Sequence, residues 1–150
     1  PFPMLYFTYG SFMDIENLKK HCPSAEFICR AMIPNWEIQF NYYSTNYQGG
    51  VTGIEPAING LVRGAVYEIP PIEIEHLDTI EGIPNGKYYR HPIMVISESG
   101  EPILAHVYRT TNPRGPFNPT KLYLKYMIDG AKTLGLPDKY ISTLLRETVD

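Results

Sequence analysis

The chain has 150 residues, 43% of them apolar, and its 13 basic and 16 acidic side chains give a net charge of −3. One compact domain with a sizeable core is predicted, since no basic cluster indicates nucleic acid and no apolar run approaches the ~20 residues that span a bilayer. Chemistry on a small molecule, with no nucleic-acid or membrane partner, is therefore the expectation. Both a monomer and a homodimer remain open.

The limits of the domain and its compartment are predicted from a few residues. Residues 1–3 precede Met4, which would be a natural start, and are expected to be a cloning remnant outside a single domain of residues 4–150. Cys22 and Cys29 follow no secretion signal and match no zinc-binding spacing. They are expected to be reduced thiols near a helix–strand junction of a cytoplasmic protein.

The first half of the chain predicts short strands around one short helix. An apolar run ends in a Gly10-Ser11 turn, and Asp14 can cap a helix that buries Leu18. A polar, Gly-containing loop at residues 45–50 is expected to border a site. The predicted elements are a strand over residues 5–8, a helix over 14–20, and strands over 27–32, 36–43, 50–54 and 61–69.

The second half of the chain predicts three helices and a hairpin. Pro70-Pro71 opens the first helix, Gly82 ends it, and Gly135 closes the second. A Glu-Ser-Gly-Glu turn between two alternating runs is typical of a hairpin. The later elements are strands over residues 91–96 and 102–110, a Pro-rich loop over 112–119, a helix over 123–134 and a short helix capped by Asp138. This mixture favours an α+β fold over a strictly alternating α/β fold.

The turn after the first strand is a candidate anion-binding site. Gly10 and Ser11 end the apolar run, and a turn of this composition can expose several backbone N–H groups at once. Ser11 could also be a nucleophile, but its local sequence offers no partnered base. A backbone-binding role for the turn is the preferred interpretation.

Glu81 is the candidate general base. It follows Ile80 on a helical stripe shared with Ile74 and Leu77, so it is expected to face the core rather than solvent. The alternative is a carboxylate that only caps the helix end or forms a salt bridge there. The next cation, Lys87, lies beyond a Pro-Asn-Gly turn. A desolvated carboxylate without a strong cation has a raised pKa, which suits a base that must also return a proton.

The remaining polar residues give weaker signals. The histidines are His21, His76, His91 and His106. Their spacing fits no metal site, and the sequence has no motif for a nucleotide, a dinucleotide or a zinc hydrolase, so no metal is expected. The 12 tyrosines are expected mainly in the core, but Tyr9, Tyr88 and Tyr123 lie at element ends, where side chains reach clefts.

Several short motifs, taken in order, resemble one known family. The run from Tyr6 to Ser11 is similar to the N-terminal signature of the gamma-glutamylcyclotransferase-like family, and the resemblance extends from Leu5 to Leu145. The further matches are Pro23-Ser24-Ala25, Gly49-Gly50-Val51, Val62-Arg63-Gly64-Ala65-Val66-Tyr67, Leu77-Asp78 with Glu81-Gly82, Tyr88, and Gly130-Ala131 with Gly135-Leu136-Pro137. The Gly-Leu-Pro ending resembles the longer branch of the family more than its short amine-specific branch. The Tyr-Gly-Ser-Leu-x-Trp pattern of the glutathione-specific branch is absent.

The resemblance implies a fold and a site. The fold is α+β, a small closed or nearly closed mixed β-barrel flanked by helices, with the first turn and the glutamate meeting at one barrel mouth. Glu81 matches the catalytic acid/base of the family. Phe12 departs from the family's usual Asn or small apolar residue, so the family's side-chain contact at that position is not carried over to this chain. The backbone contacts of the turn are nevertheless expected to persist. The implied substrate-binding residues are Tyr6, Phe7, Thr8, Tyr9, Gly10, Ser11, Tyr88 and Tyr123.

The implied reaction releases 5-oxoproline from a γ-glutamyl amide. The α-amine of the substrate attacks its own γ-carbonyl and expels an amine, so the enzyme must transfer a proton but requires no cofactor, metal or covalent intermediate. The leaving group could be a peptide or an amine, including one released in a biosynthetic deprotection step, and glutathione is the less expected substrate. The alternatives are a non-catalytic module that binds a small acidic ligand at the same mouth, and an interaction protein whose barrel is only a scaffold.

Overall fold

The computed structural model of the protein describes residues 4–146, and the expectations for residues 1–3 and 147–150 lie outside the described residues. Within the described part, five strands close into a barrel and four α-helices accompany it. The strands are β1 (Met4–Thr8), β2 (Glu26–Ser44), β3 (Gly49–Ile69), β4 (Tyr88–Ser97) and β5 (Pro102–Thr110). The helices are α1 (Ile15–Lys19), α2 (Pro71–Ile80), α3 (Lys121–Leu134) and α4 (Asp138–Arg146).

The pairing of the strands makes the barrel mixed. The strand order is β1-β3-β2-β4-β5, and β5 closes the barrel against β1 in parallel, with Tyr6 opposite His106. The other strand pairs of the barrel are antiparallel. The predicted hairpin is present, since β4 and β5 pair from Tyr88 opposite Thr110 onward. The predicted α+β fold with a small mixed barrel is confirmed.

Strands β2 and β3 differ from the prediction, because each is one long strand rather than two short ones. Breaks were expected at Pro34 and over residues 55–60, but the two strands stay paired through a shift of register between Pro34 and Trp36. Asn35 and Asn59 adopt left-handed φ angles of 64° and 65°. The backbone N–H of Asn59 donates to Oδ1 of Asn35 at 3.1 Å. The two strands therefore bend together at bulges instead of ending.

Capping residues fix where two helices begin. The Asp14 carboxylate accepts hydrogen bonds from the backbone N–H groups of Glu16 and Asn17 at 3.0 and 3.1 Å. Oγ1 of Thr120 accepts one from the N–H of Tyr123 at 3.2 Å. Asn17 and Tyr123 thus lie in the first turn of their helices. In the described part of the chain, no helix is both long enough and apolar enough to cross a bilayer.

Both cysteines are free thiols, as predicted. Cys22 follows α1 and is buried, and Cys29 lies in β2. Burial, followed by the charge of Glu73, raises the pKa of Cys22 to about 12. A thiol with so high a pKa is unreactive near neutral pH, so Cys22 is a core residue.

The core is divided into two clusters. The inner cluster is enclosed by the barrel, and all of its residues except Tyr9 lie in strands. Its members are Phe7, Tyr9, Ala31, Ile33, Ile54, Val62, Val66, Val95, Ala105 and Val107. The outer cluster joins the barrel to the helices and contains six tyrosines together with helix residues such as Leu77 and Met127. Alternation along β1 explains the division, because Tyr6 belongs to the outer cluster and Phe7 to the inner one.

Candidate functional site

A pocket of about 550 Å³ opens beside the outer cluster. Its walls come from β1 and the turn that follows, from the hairpin turn between β2 and β3, and from residues at the end of α2 and the start of α3. This volume lies in the range that holds small ligands. Seven of the 12 tyrosines line the pocket, namely Tyr6, Tyr9, Tyr42, Tyr47, Tyr88, Tyr108 and Tyr123. The loop expected to border the site does so through Asn46 and Tyr47.

The Gly10-Ser11 turn forms one wall of the pocket. A 3-10 turn over Ser11–Met13 starts there, and the N–H of Met13 donates to the carbonyl of Gly10 at 3.0 Å. Among the described residues, no hydrogen bond of the Gly10 or Ser11 backbone N–H is found. A side chain at position 10 would collide with Oγ1 of Thr52, 2.5 Å from the place of its Cβ. The turn therefore requires glycine, and two of its backbone N–H groups have no partner among the described residues.

Glu81 lies at the C-terminal cap of α2, one residue beyond the helix. Its backbone N–H donates to the carbonyl of Leu77 at 2.8 Å, which holds the residue in the last turn. The side chain is partly buried and lines the pocket. No hydrogen bond or ion pair of its carboxylate is found within residues 4–146. Burial, followed by the charge of Asp78, raises the pKa of Glu81 to about 7.

Asp78, three residues before Glu81 in sequence, has partners of its own. Its Oδ1 accepts a hydrogen bond from the Tyr108 hydroxyl at 2.7 Å and forms an ion pair with Nε of Arg90 at 3.2 Å. The Tyr108 ring packs edge-on against Tyr6, with centroids 5.7 Å apart. Arg90 therefore pairs with Asp78 and not with Glu81. Without a cation to lower its pKa, the Glu81 carboxyl group can be neutral or charged near neutral pH.

A hydrogen-bonded group of Thr52, Tyr88 and Tyr123 forms another part of the pocket wall. The Tyr123 hydroxyl accepts a hydrogen bond from the N–H of Thr52 at 3.1 Å and lies 2.6 Å from Oγ1 of Thr52. The Tyr88 hydroxyl donates to the carbonyl of Thr52 at 2.7 Å. Burial raises the pKa of Tyr123 to about 12, so its hydroxyl stays neutral. These bonds tie α3 and β4 to β3 and give the wall a fixed shape.

The structure brings together seven of the eight residues implied for substrate binding, and the eighth points elsewhere. Tyr6, Thr8 and Tyr9 line the pocket with the Gly10-Ser11 turn, Tyr88 and Tyr123. Oγ1 of Thr8 is buried and has no hydrogen-bond partner in the described structure. The side chain of Phe7 lies in the inner cluster and is absent from the pocket wall. Any contact of Phe7 with a substrate would be through its backbone, and the substrate-binding role of the whole set stays a prediction.

Several pocket residues were missed by the sequence analysis. Tyr108 and Thr52 lie inside strands, and Asn17 lies in α1, where its Nδ2 donates to the carbonyl of Ser11 at 3.3 Å. Strand alternation would have placed Tyr108 on the face opposite Val107, but nothing local marks that face as a site. In the described part of the chain, no group of three His, Cys, Asp or Glu residues could hold a metal ion. The expectation of a metal-free reaction stays a prediction.

Comparisons with known proteins identify close relatives. The sequence profile of the AIG2-like family matches residues 61–144. A gamma-glutamylcyclotransferase from Mus musculus is 32% identical over 140 residues, which cover 91% of this chain and 74% of that protein. The gamma-glutamylcyclotransferase from Homo sapiens is 31% identical over 140 residues with the same coverage. A solved structure of a gamma-glutamyl cyclotransferase superposes with a TM-score of 0.91 and 29% identity, covering 95% of this chain and 86% of that one.

Proposed function

The chain belongs to the gamma-glutamylcyclotransferase family and is an enzyme with that activity, and we propose that Glu81 is its catalytic acid/base. The reaction is the cyclisation of a γ-glutamyl amide in this pocket. The products are 5-oxoproline and a free amine. The observation that carries the proposal is a partly buried carboxylate with a raised pKa and no cationic partner, in a pocket whose other wall offers free backbone donors.

The chemistry needs one group that takes and returns a proton. Glu81 removes a proton from the α-ammonium of the substrate, and the freed amine attacks the γ-carbonyl. The same carboxyl group then protonates the leaving nitrogen as the C–N bond breaks, and the second proton of the attacking nitrogen passes to the released amine, which leaves as an ammonium ion. A pKa of about 7 suits both steps, since the group is neither too weak a base nor too weak an acid near neutral pH.

The Gly10-Ser11 turn has the complementary role in this proposal. Its two free N–H groups bind the α-carboxylate of the glutamyl group or the oxyanion that develops on the γ-carbonyl. Loss of a single oxyanion donor typically costs roughly 2.7–4 kcal/mol of transition-state stabilisation. The tyrosine walls hold the substrate folded, so that its amine lies close to its own carbonyl.

The identity of the natural leaving amine belongs to the proposal as well. A peptide or amine fits a pocket of about 550 Å³, and the family allows a deprotection step in a biosynthetic pathway. The test is incubation with a panel of γ-glutamyl amino acids, peptides and amines, followed by mass spectrometry of the released acid. We expect 5-oxoproline.

An N-acetylated γ-glutamyl substrate is the control for the nucleophile. It keeps the scissile amide but lacks a free α-amine, so it should be inert in this mechanism. Release of glutamate instead of 5-oxoproline, or cleavage of the N-acetylated substrate, would show that water is the nucleophile and would overturn the proposal.

A further inference from the structure

Lys87 is the one Lys or Arg among the described residues that line the pocket. It lies directly before β4, six residues after Glu81 in sequence. A 3-10 turn over Ile83–Asn85, flanked by left-handed glycines, folds the chain back between the two. The sequence analysis placed this lysine beyond a turn and away from the carboxylate, whereas the structure places both in the wall of one pocket.

The position of Lys87 is fixed by its backbone and by its stem. Its N–H donates to the carbonyl of Gly82 at 3.0 Å, and its carbonyl accepts from the N–H of Thr111 at 3.1 Å. Its Cβ, Cγ and Cδ atoms cover Gly82, lying 2.6–3.0 Å from the place that a Cβ on Gly82 would take. The stem therefore lies along the residue that follows Glu81, and the ammonium group is two bonds beyond Cδ.

The charge of Lys87 has no partner in the described structure. The ion pairs found there use Arg30, Arg90, Arg109 and Lys125, and no hydrogen bond of the Lys87 side chain is found. A lysine held in a pocket wall, with no carboxylate of residues 4–146 paired to it, can pair with an anionic ligand.

We propose that Lys87 is a specificity-determining residue that binds an anionic group on the leaving amine. The inference rests on the proposed function, in which the glutamyl group is held at the Gly10-Ser11 turn and its scissile amide lies at Glu81. The leaving part then extends past Glu81 along the wall that Lys87 occupies. A carboxylate there pairs with the ammonium group, and a cationic amine is repelled by it.

Three matched substrates test this assignment: γ-glutamyl-alanine, its C-terminal amide and γ-glutamyl-ethylenediamine, whose leaving parts are anionic, neutral and cationic. The variants are Lys87→Met, which keeps an apolar stem over Gly82, and Lys87→Glu. Lys139→Met, at an exposed lysine of α4, controls for the loss of a positive charge. Each protein is checked for thermal unfolding before kcat/KM is measured.

We expect the wild type to prefer the anionic substrate over its amide by about 10- to 100-fold, the scale of a hydrogen bond to a charged group. Lys87→Met should bring this ratio near one by losing activity on the anionic substrate, and Lys87→Glu should favour the cationic one. Lys139→Met should keep the wild-type ratio.

The other outcomes separate two failures. An equal loss of kcat/KM on all three substrates would mean that Lys87 binds the α-carboxylate of the glutamyl group. Unchanged kcat/KM on all three would mean that Lys87 binds neither group. Either result overturns the assignment to the leaving amine while the proposed function stands. A wild type that releases no 5-oxoproline from any of the three overturns the proposed function, and the role of Lys87 with it.

Discussion

The inner and outer clusters are both buried, but they are built from different side chains. The inner cluster is aliphatic apart from Phe7 and Tyr9, and several of its members are completely inaccessible to solvent. The outer cluster contains six tyrosines and borders the pocket that holds Glu81. Tyrosine supplies apolar area together with a hydroxyl that must find a partner when buried. The outer cluster can therefore hold a polar site in place, whereas the inner one reaches the pocket only through Tyr9.

The outer cluster borders a group that is unfavourable to bury, the charged carboxylate of Glu81. Charging a partly buried carboxylate without a cation is unfavourable, and the raised pKa of Glu81 is the measure of that cost. The inner cluster contains no comparable group. Substitutions in the two clusters should consequently separate activity from stability, and the effects below run from the largest to the smallest.

The largest expected effect is on activity alone. Glu81→Gln keeps the shape of the side chain but cannot transfer a proton, so kcat should fall by about 10²–10⁴-fold or more. Thermal unfolding should show a fold that is at least as stable as the wild type near pH 8, because no charge remains to be desolvated. Release of 5-oxoproline at close to the wild-type rate would contradict the role of Glu81.

The second effect concerns the Gly10-Ser11 turn. Gly10→Val adds a branched side chain where Oγ1 of Thr52 and the Tyr123 hydroxyl lie 2.5 and 3.1 Å from the new Cβ. It should abolish binding of γ-glutamyl substrates, as measured by calorimetry on the Glu81→Gln background. Ser11→Ala is the matched control and should be much milder, since the proposed contact uses backbone N–H groups. Comparable damage from Ser11→Ala, or an acyl-enzyme on Ser11, would support a nucleophilic serine instead.

The third effect compares the clusters directly. Ile33→Ala in the inner cluster and Met127→Ala in the outer cluster each remove a buried side chain and should each lower the free energy of unfolding by about 2–5 kcal/mol. Only Met127→Ala should also lower kcat/KM, since Met127 lies one turn after Tyr123 on α3. Assays at low temperature, with Ile33→Val as a milder variant, keep the proteins folded. Equal kinetic loss in both would show that the clusters are not functionally distinct.

The sequence analysis succeeded where local chemistry decides the structure. The capping by Asp14, the hairpin of β4 and β5 and the helix end at Gly82 follow from short patterns. It was wrong about breaks in β2 and β3, because the bulge at Asn35 gives the same Pro and Asn signals as a turn, and only the partner strand reveals that pairing continues.

The candidate site was predictable only in part for a related reason. Glu81 could be selected because it extends an apolar helical stripe, and the family resemblance supplied the turn and Tyr123. Thr52 and Tyr108 could not be selected, because their roles depend on contacts between strands far apart in sequence. Lys87 forms no ion pair with Glu81 in the described structure, as predicted, but its place in the pocket wall was not selected, because it depends on the left-handed glycines on both sides of a 3-10 turn.

The smallest expected effect is on how stability depends on pH. The pKa of Glu81 is about 7 in the folded protein against 4.5 for the ordinary group, so between these values the folded state binds more protons than the unfolded state. Stability from this group is fully present below pH 4.5 and is lost as the pH rises through 7. Glu81→Gln lacks this titration, so its Tm relative to the wild type should increase from pH 4.5 to about 7.5 and then level off.

The expected gain is on the order of several degrees, because a pKa raised from 4.5 to about 7 corresponds to a few kcal/mol, and about 1 kcal/mol shifts Tm by roughly 2–4 °C in a domain of this length. Melting curves of the two proteins in matched buffers of constant ionic strength give the difference directly. Glu98→Gln is a useful contrast, since pairing with Arg30 lowers the pKa of that exposed carboxyl group and no Tm difference should develop around pH 7. A Tm difference between Glu81→Gln and the wild type that stays constant across pH 5–8 would mean that Glu81 titrates as an ordinary surface carboxylate. A carboxyl group with an ordinary pKa would be too weak a base for the proposed mechanism.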